Sequence, residues 1–220
     1  HNGESHNHND VGSFIVYVDG KPVLVDPGVG EYTKKTFSNE RYNIWTMQSI
    51  YHNLLPSFDN IMQSSGEEYK AKNVKYEKEK NILKLSMDIS SAYPSEANVK
   101  EWKREVKSIR GYGVEIKDKY LLKKPVKEIS LSLITPSTPY VKKKQNEILF
   151  KSRIMNSQRK SGSAILEWNG DFNVSKEKIV LKDERLKKIW GDYLTRVLFI
   201  IKNPELSGEI KFTIFSNRGG

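Results

Sequence analysis

All four histidines of this 220-residue chain, His1, His6, His8 and His52, fall in its opening quarter. Two of them sit in the run His6, Asn7, His8, Asn9, Asp10. In an extended segment side chains alternate with period two, so a His-x-His pair would present both imidazoles on one face. Two such rings can share a metal ion, or divide a metal role from a proton-transfer role. His52, in the run Tyr51, His52, Asn53, could add a donor from another strand, and Asp26 a carboxylate. Two imidazoles and one carboxylate suit a zinc ion with water or substrate in the fourth position. The competing structural roles are ordinary ones. His8 and His52 could be buried rings satisfied by backbone carbonyls, and Asp26 a turn former before Pro27. Asn9 and Asp10 are expected to orient the loop or the ligands through hydrogen bonds.

The elements that would bring these residues together are short strands. Residues 13–18 read as an apolar strand, Asp19 and Gly20 as a tight hairpin turn, and residues 22–25 as the return strand. That hairpin would carry Asp26 back beside the segment holding His8. Residues 27–43, rich in Gly, Thr, Ser and Asn, read as a long loop of the kind that often binds ligands, with Arg41 and Tyr42 in it. Residues 44–55 resume an extended pattern and carry His52, and residues 56–66 form a turn region containing Gln63. Strands are then expected at 69–76, 82–89, 99–109, 114–122, 126–134, 147–150, 163–168, 179–181, 193–201 and 210–215, punctuated by Gly and Pro. Residues 90–98 suggest a loop or helical turn, and 183–189 is the one passable helix. The expected fold is therefore all-β: an antiparallel β-sandwich, one domain over residues 1–220.

Composition narrows the class further. A hydrophobic content of 37% and a mean hydropathy of −0.63 are low, while 10% aromatic residues argue for a folded core. There is no cysteine, which excludes a disulfide scaffold and thiolate metal sites and leaves the compartment open. No apolar run is long enough to cross a bilayer as a helix, and no membrane partner is expected. The net charge of +10 is uneven, residues 1–66 carrying −3 and residues 67–220 carrying +13. Such a field attracts polyanions. Nucleic acid and acidic polysaccharide are both candidates, beside solvated lysines on strand edges that discourage aggregation; the lack of a nucleic-acid motif or arginine-rich arm counts against nucleic acid, which is not an expected partner.

The His-x-His-x-Asp run, the stretch Leu24, Val25, Asp26, Pro27, Gly28 and the later His52, Asn53 resemble the C-terminal module of the heparinase II/III family of polysaccharide lyases. The resemblance is specific over residues 1–63 and diffuse around residues 179–200. It implies a β-sandwich that, in full-length relatives, joins an α-helical toroid and cuts uronic-acid polysaccharides by β-elimination. It further implies that His6 is catalytic, that His8, Asp26 and His52 hold zinc, and that Arg41, Tyr42 and Gln63 contact substrate. Heparin or heparan sulfate is the implied polymer, with alginate as the alternative, and the implied compartment is periplasmic or secreted. No amphipathic helices of a toroid are present, so that domain is expected as a missing partner and the isolated chain is expected to be inactive. Two other classes compete. Cupins share a His-x-His pair but place a Glu a few residues later, where Val11, Gly12, Ser13 and Phe14 stand here. A noncatalytic glycan-binding sandwich would need only the basic strands.

Overall fold

A computed structural model describes residues 1–3, 7–156 and 159–217. His6, the expected catalytic residue, lies outside the described residues.

The chain opens with an irregular segment and a hairpin of β1 (Val16–Val18) and β2 (Lys21–Leu24). Asp19 and Gly20 form its turn with φ of 51° and 72°, the left-handed pair that a two-residue hairpin demands. After the 27–43 loop and a run of 3-10 turns come β3 (Ser57–Phe58), β4 (Lys72–Glu79), β5 (Ile82–Asp88), β6 (Val99–Ile109), β7 (Gly113–Leu122) and β8 (Glu128–Thr135). Then follow β9 (Thr138–Lys142), β10 (Glu147–Lys151), β11 (Ile154–Asn156), β12 (Arg159–Lys160), β13 (Ala164–Trp168) and β14 (Asn173–Val180). A single helix, α1 (Glu184–Trp190), precedes β15 (Tyr193–Lys202) and β16 (Ser207–Ser216).

An eight-stranded antiparallel sheet, β4-β5-β6-β7-β16-β13-β10-β9, faces a four-stranded one, β14-β15-β8-β3. Between them lies one continuous core in which Phe58, Trp102, Phe150, Phe199 and Phe212 are essentially inaccessible. This is the expected antiparallel sandwich. β6 shows why the alternation was readable, burying Trp102 and Arg104 while Lys103 points outward. β4 is exposed along all eight residues, and its lysines and glutamates guard a free sheet edge.

Over β8 and much of β15 the small sheet is buried on both faces, while its edge strand β14 is largely exposed. The sheet's outer face carries Ile134 and Leu194, which pack with Val25, Leu181, Leu186 and Trp190 in a second cluster. α1 and the segment around Trp45 and Tyr51 thus form a cover over that face. Asp183 caps α1 by accepting from the Leu186 amide. Gly191 ends it at φ 77°, where a β-carbon would lie 1.8 Å from the Met155 carbonyl.

Two expectations about local structure need correction. Residues 44–55 are not extended: Trp45–Met47 and Ser49–Tyr51 are 3-10 turns, following a third at Arg41–Asn43. Thr46, Ser49 and His52 are all buried, a spacing of three that matches the 3-10 repeat and was masked by the alternation of Met47, Ser49 and Tyr51. The segment bonds within itself, Met47 N–H to Ile44, Tyr51 N–H to Gln48 and His52 N–H to Ser49, so no neighbouring strand is needed. Likewise His8 lies in irregular chain rather than on a strand. β9 was hidden by Pro139, which is tolerated because β9 is a sheet edge. Among the described residues, no helix is long and apolar enough to cross a membrane.

Candidate metal centre

The hairpin β1–β2 ends at Leu24, and Val25 donates to the Ile134 carbonyl of β8, so the chain is pinned to the small sheet one residue before Asp26. Asp26 Oδ1 then accepts from the Gly28 amide at 2.6 Å, leaving Oδ2 turned the other way. Toward Oδ2 point His52 Nδ1 at 3.2 Å and His8 Nδ1 at 3.6 Å. The two imidazole rings are 5.2 Å apart. Asp10 joins them: one potential ligand atom from each of His8, Asp10, Asp26 and His52 lies within 4.8 Å of all the others.

His52 carries the strongest argument for a cation here. It is wholly buried, and its Nε2 lies 3.1 Å from the Thr46 carbonyl, which can only accept. The neutral ring therefore holds its proton on Nε2, and Nδ1 presents a lone pair. That Nδ1 makes no hydrogen bond, although the Asp26 carboxylate is next to it. A lone pair facing a carboxylate repels it unless a proton or a metal ion sits between them.

The carboxylates agree. Burial pushes Asp26 up, but the two imidazoles of His52 and His8 beside it overcome this and hold the carboxyl well below its usual range. Burial raises Asp10, and the nearby Asp26 charge adds to it, against the pull of His52 and His8. Two acids crowded among two imidazoles make a donor set of two nitrogens and two oxygens, which fits a divalent transition-metal ion.

Bracing comes from farther along the chain. The Asn53 side chain donates to the Phe14 and Val25 carbonyls at 2.7 and 3.1 Å and accepts from the Ile134 amide at 2.9 Å. It thereby joins the His52 turn, the hairpin and β8. The Arg104 guanidinium, buried from β6, donates to Asp118 at 2.8 Å and to the carbonyls of Gly12 and Leu54. Each carbonyl lies two residues from a donor of the cluster, Asp10 and His52 respectively. Replacing Asn53 with alanine is expected to destabilise the chain by about 2–3 kcal/mol, since Ile134 N–H and the Phe14 and Val25 carbonyls would be left without their partner. Urea unfolding measures it, and a loss below about 0.5 kcal/mol would show these groups finding other partners.

The three expected substrate residues are placed as follows. Gln63 is buried; its Oε1 accepts from the Val11 backbone N–H and the Asn2 side-chain amide, and its Nε2 donates to the Val11 carbonyl, holding the turn after Asp10. Arg41 is buried and donates to the Asn7 carbonyl at 2.8 Å. Tyr42, half-buried, donates its hydroxyl to the Asn7 side chain at 3.0 Å. Arg41 and Tyr42 thus both grip Asn7, between the two histidines of the pair. Asp10 is the member of the cluster that sequence reasoning missed as a donor. Its spacing of two from His8 was the available signal.

Fold and site together define an antiparallel β-sandwich with a two-histidine, two-aspartate cluster at one end of its small sheet. The sequence matches the family described as heparinase II/III-like, C-terminal, over residues 1–185, and the chain belongs to that family. Among solved structures it resembles the heparan sulfate lyase HepC from Pedobacter heparinus, with a TM-score of 0.74 and 17% identity over 99% of this chain and 32% of that one. The heparinase III gene product BT4657 aligns at a TM-score of 0.69 and 18% identity, over 94% of this chain and 30% of that one. A further heparinase III aligns at 0.67 and 16% identity, over 99% of this chain and 31% of that one. The chain spans about a third of the length of these structures. Among curated proteins, no sequence matches it.

Proposed function

We propose that this chain is the metal-braced C-terminal part of a polysaccharide lyase that cleaves uronic-acid-containing glycans of the heparin or heparan sulfate type by β-elimination. The observation that carries this reading is the partnerless, buried Nδ1 of His52 facing Asp26 and His8, in a chain of this family. His8, Asp26 and His52, joined by Asp10, would hold zinc. A bound zinc ion supplies fixed positive charge that braces the wall of the cleft.

The chemistry assigns work to the neighbouring residues. β-Elimination removes the proton from C5 beside the uronate carboxylate, places the electrons in the new double bond, and expels the glycosidic oxygen, which takes a proton from an acid. His6 is the proposed base, since a neutral imidazole can take that proton near neutral pH. Arg41 and Tyr42 fix the backbone immediately after it through Asn7. Of the three proposed substrate contacts, Tyr42 has surface to offer a sugar, while Arg41 is buried against the Asn7 carbonyl and Gln63 against Val11 and Asn2. A helical domain outside this chain would complete the cleft, and a polymer of this size places the work in the periplasm or outside the cell.

The test compares this chain with the longer protein that contains it, following the ultraviolet absorbance of unsaturated uronates released from heparan sulfate and from alginate. The longer protein is expected to cleave the former and this chain alone to release essentially nothing. Cleavage of alginate alone would move the substrate assignment, and robust cleavage by the isolated chain would refute the proposed division of the active site. No product from either polymer with the longer protein would end the lyase reading.

A further inference from the structure

On the far side of the β1–β2 hairpin from the metal cluster lies a groove of about 430 Å³, lined by Tyr17, Lys21, Arg159, Lys160, Ile189 and Trp190 among others. Its charged lining is entirely cationic, whereas the other grooves of the described surface carry acids as well, Asp88 and Glu105 in one and Glu177 in another. The three cations come from two elements distant in sequence. Lys21 stands at the hairpin turn, and Arg159 and Lys160 form β12, held against β11 by the bond from Arg159 N–H to the Asn156 side chain at 3.1 Å. The exposed aromatic surface is Tyr17, half exposed at 51%; Trp190 beneath is buried and fixed by its indole N–H on the Pro27 carbonyl at 2.9 Å.

We propose that this groove is a second binding site for acidic oligosaccharide, separate from the metal centre. The identity of the ligand rests on the lyase reading; the groove itself does not. A pyranose presents a face of C–H groups that lies well on an aromatic ring, and its carboxylate or sulfate matches the planar fork of an arginine beside two ammonium groups. Neutral sugars would meet only the first of these. The volume is in the range of small-ligand sites.

The groove is placed to act with the metal centre rather than apart from it. Lys21 opens β2 and Asp26 follows two residues after its end, so the two are at most roughly 17 Å apart at the usual rise per residue. Pro27, the residue after Asp26, is the one that holds Trp190. A polymer gripped at the hairpin turn would therefore remain tethered within reach of the cleft. The tether raises the local concentration of cleavable bonds without contributing to the chemistry.

Titration calorimetry on this chain tests the assignment, with a heparin-derived tetrasaccharide, an alginate tetrasaccharide and maltotetraose as probes. The acidic probes are expected to bind and maltotetraose not to. Joint Arg159→Ala and Lys160→Ala substitution removes two solvent-exposed cations and is expected to weaken acidic binding about tenfold, the equivalent of about 1.4 kcal/mol. Tyr17→Ala should weaken it as well, while a chelator leaves it unchanged. Binding that survives the double substitution but disappears with a chelator would overturn the second site and leave the lyase reading standing. Equal binding of maltotetraose, or no binding of either acidic probe, would also overturn it. Loss of binding in the double variant, alongside a longer protein that cleaves no uronate polymer, would instead retain the groove and remove the lyase.

Discussion

Replacing Arg104 with leucine is expected to cost about 3–5 kcal/mol of folding stability, the largest effect of any single substitution considered for this chain. The guanidinium is 1% exposed and meets Asp118, which is equally buried, through two nitrogens. Its remaining donors go to the carbonyls of Gly12 and Leu54. Leucine would strand the Asp118 carboxylate in the core and strip both carbonyls of their partner at once. The penalty comes from the abandoned charge more than from the lost attraction. A second substitution, Asp118→Leu, should therefore recover much of the loss. Urea unfolding of the two single variants and the double would measure this. An Arg104→Leu cost below about 1 kcal/mol, or a double variant worse than either single one, would contradict it.

The second large effect concerns the metal. His52→Ala is expected to lower zinc affinity by at least about a hundredfold, since loss of even an outer-shell partner commonly costs ten- to a hundredfold. His52 has no alternative role at Nδ1, and its other nitrogen is committed to Thr46. The parent chain should gain stability on adding zinc, about 2.7 kcal/mol when free metal reaches a hundred times its dissociation constant. The variant should gain almost none. Metal content after dialysis and the thermal midpoint with and without zinc are the two readouts. Asp26→Asn, which keeps the volume and removes the charge, separates loss of a ligand from loss of packing. Zinc bound as tightly by the His52→Ala chain as by its parent would leave the cluster as a buried polar network and nothing more.

Much of this could be anticipated from local pattern. β5, β6 and β7 alternate cleanly because one face packs on aromatic residues and the other meets water, and Gly111 and Gly113 mark the turn between the last two. The return of Asp26 toward the segment holding His8 was legible in hairpin arithmetic, because a two-residue turn returns the chain to its starting level, and His52 joined the set through the family resemblance. What local pattern could not supply was the shape of the segment carrying His8 and Asp10. That segment is irregular, held by Gln63 from 52 residues away and by Arg104 from 92. No property of the residues themselves announces such partners, so the inward turn of Asp10 went unseen. The 3-10 course of the His52 segment was lost for a related reason. Over a few residues, periods of two and three predict nearly the same buried positions.

β15 runs between β14 and β8, and β16 between β7 and β13, so the last two strands in sequence occupy interior positions in the two sheets. The sequence match to the family stops at residue 185, before either strand and inside α1, although the likeness of fold runs on over nearly the whole chain. A chain trimmed at that limit would lack an inner member of each layer and the indole that fastens Pro27, beside Asp26. For this protein the border of recognisable sequence similarity and the border of the two packed sheets do not coincide.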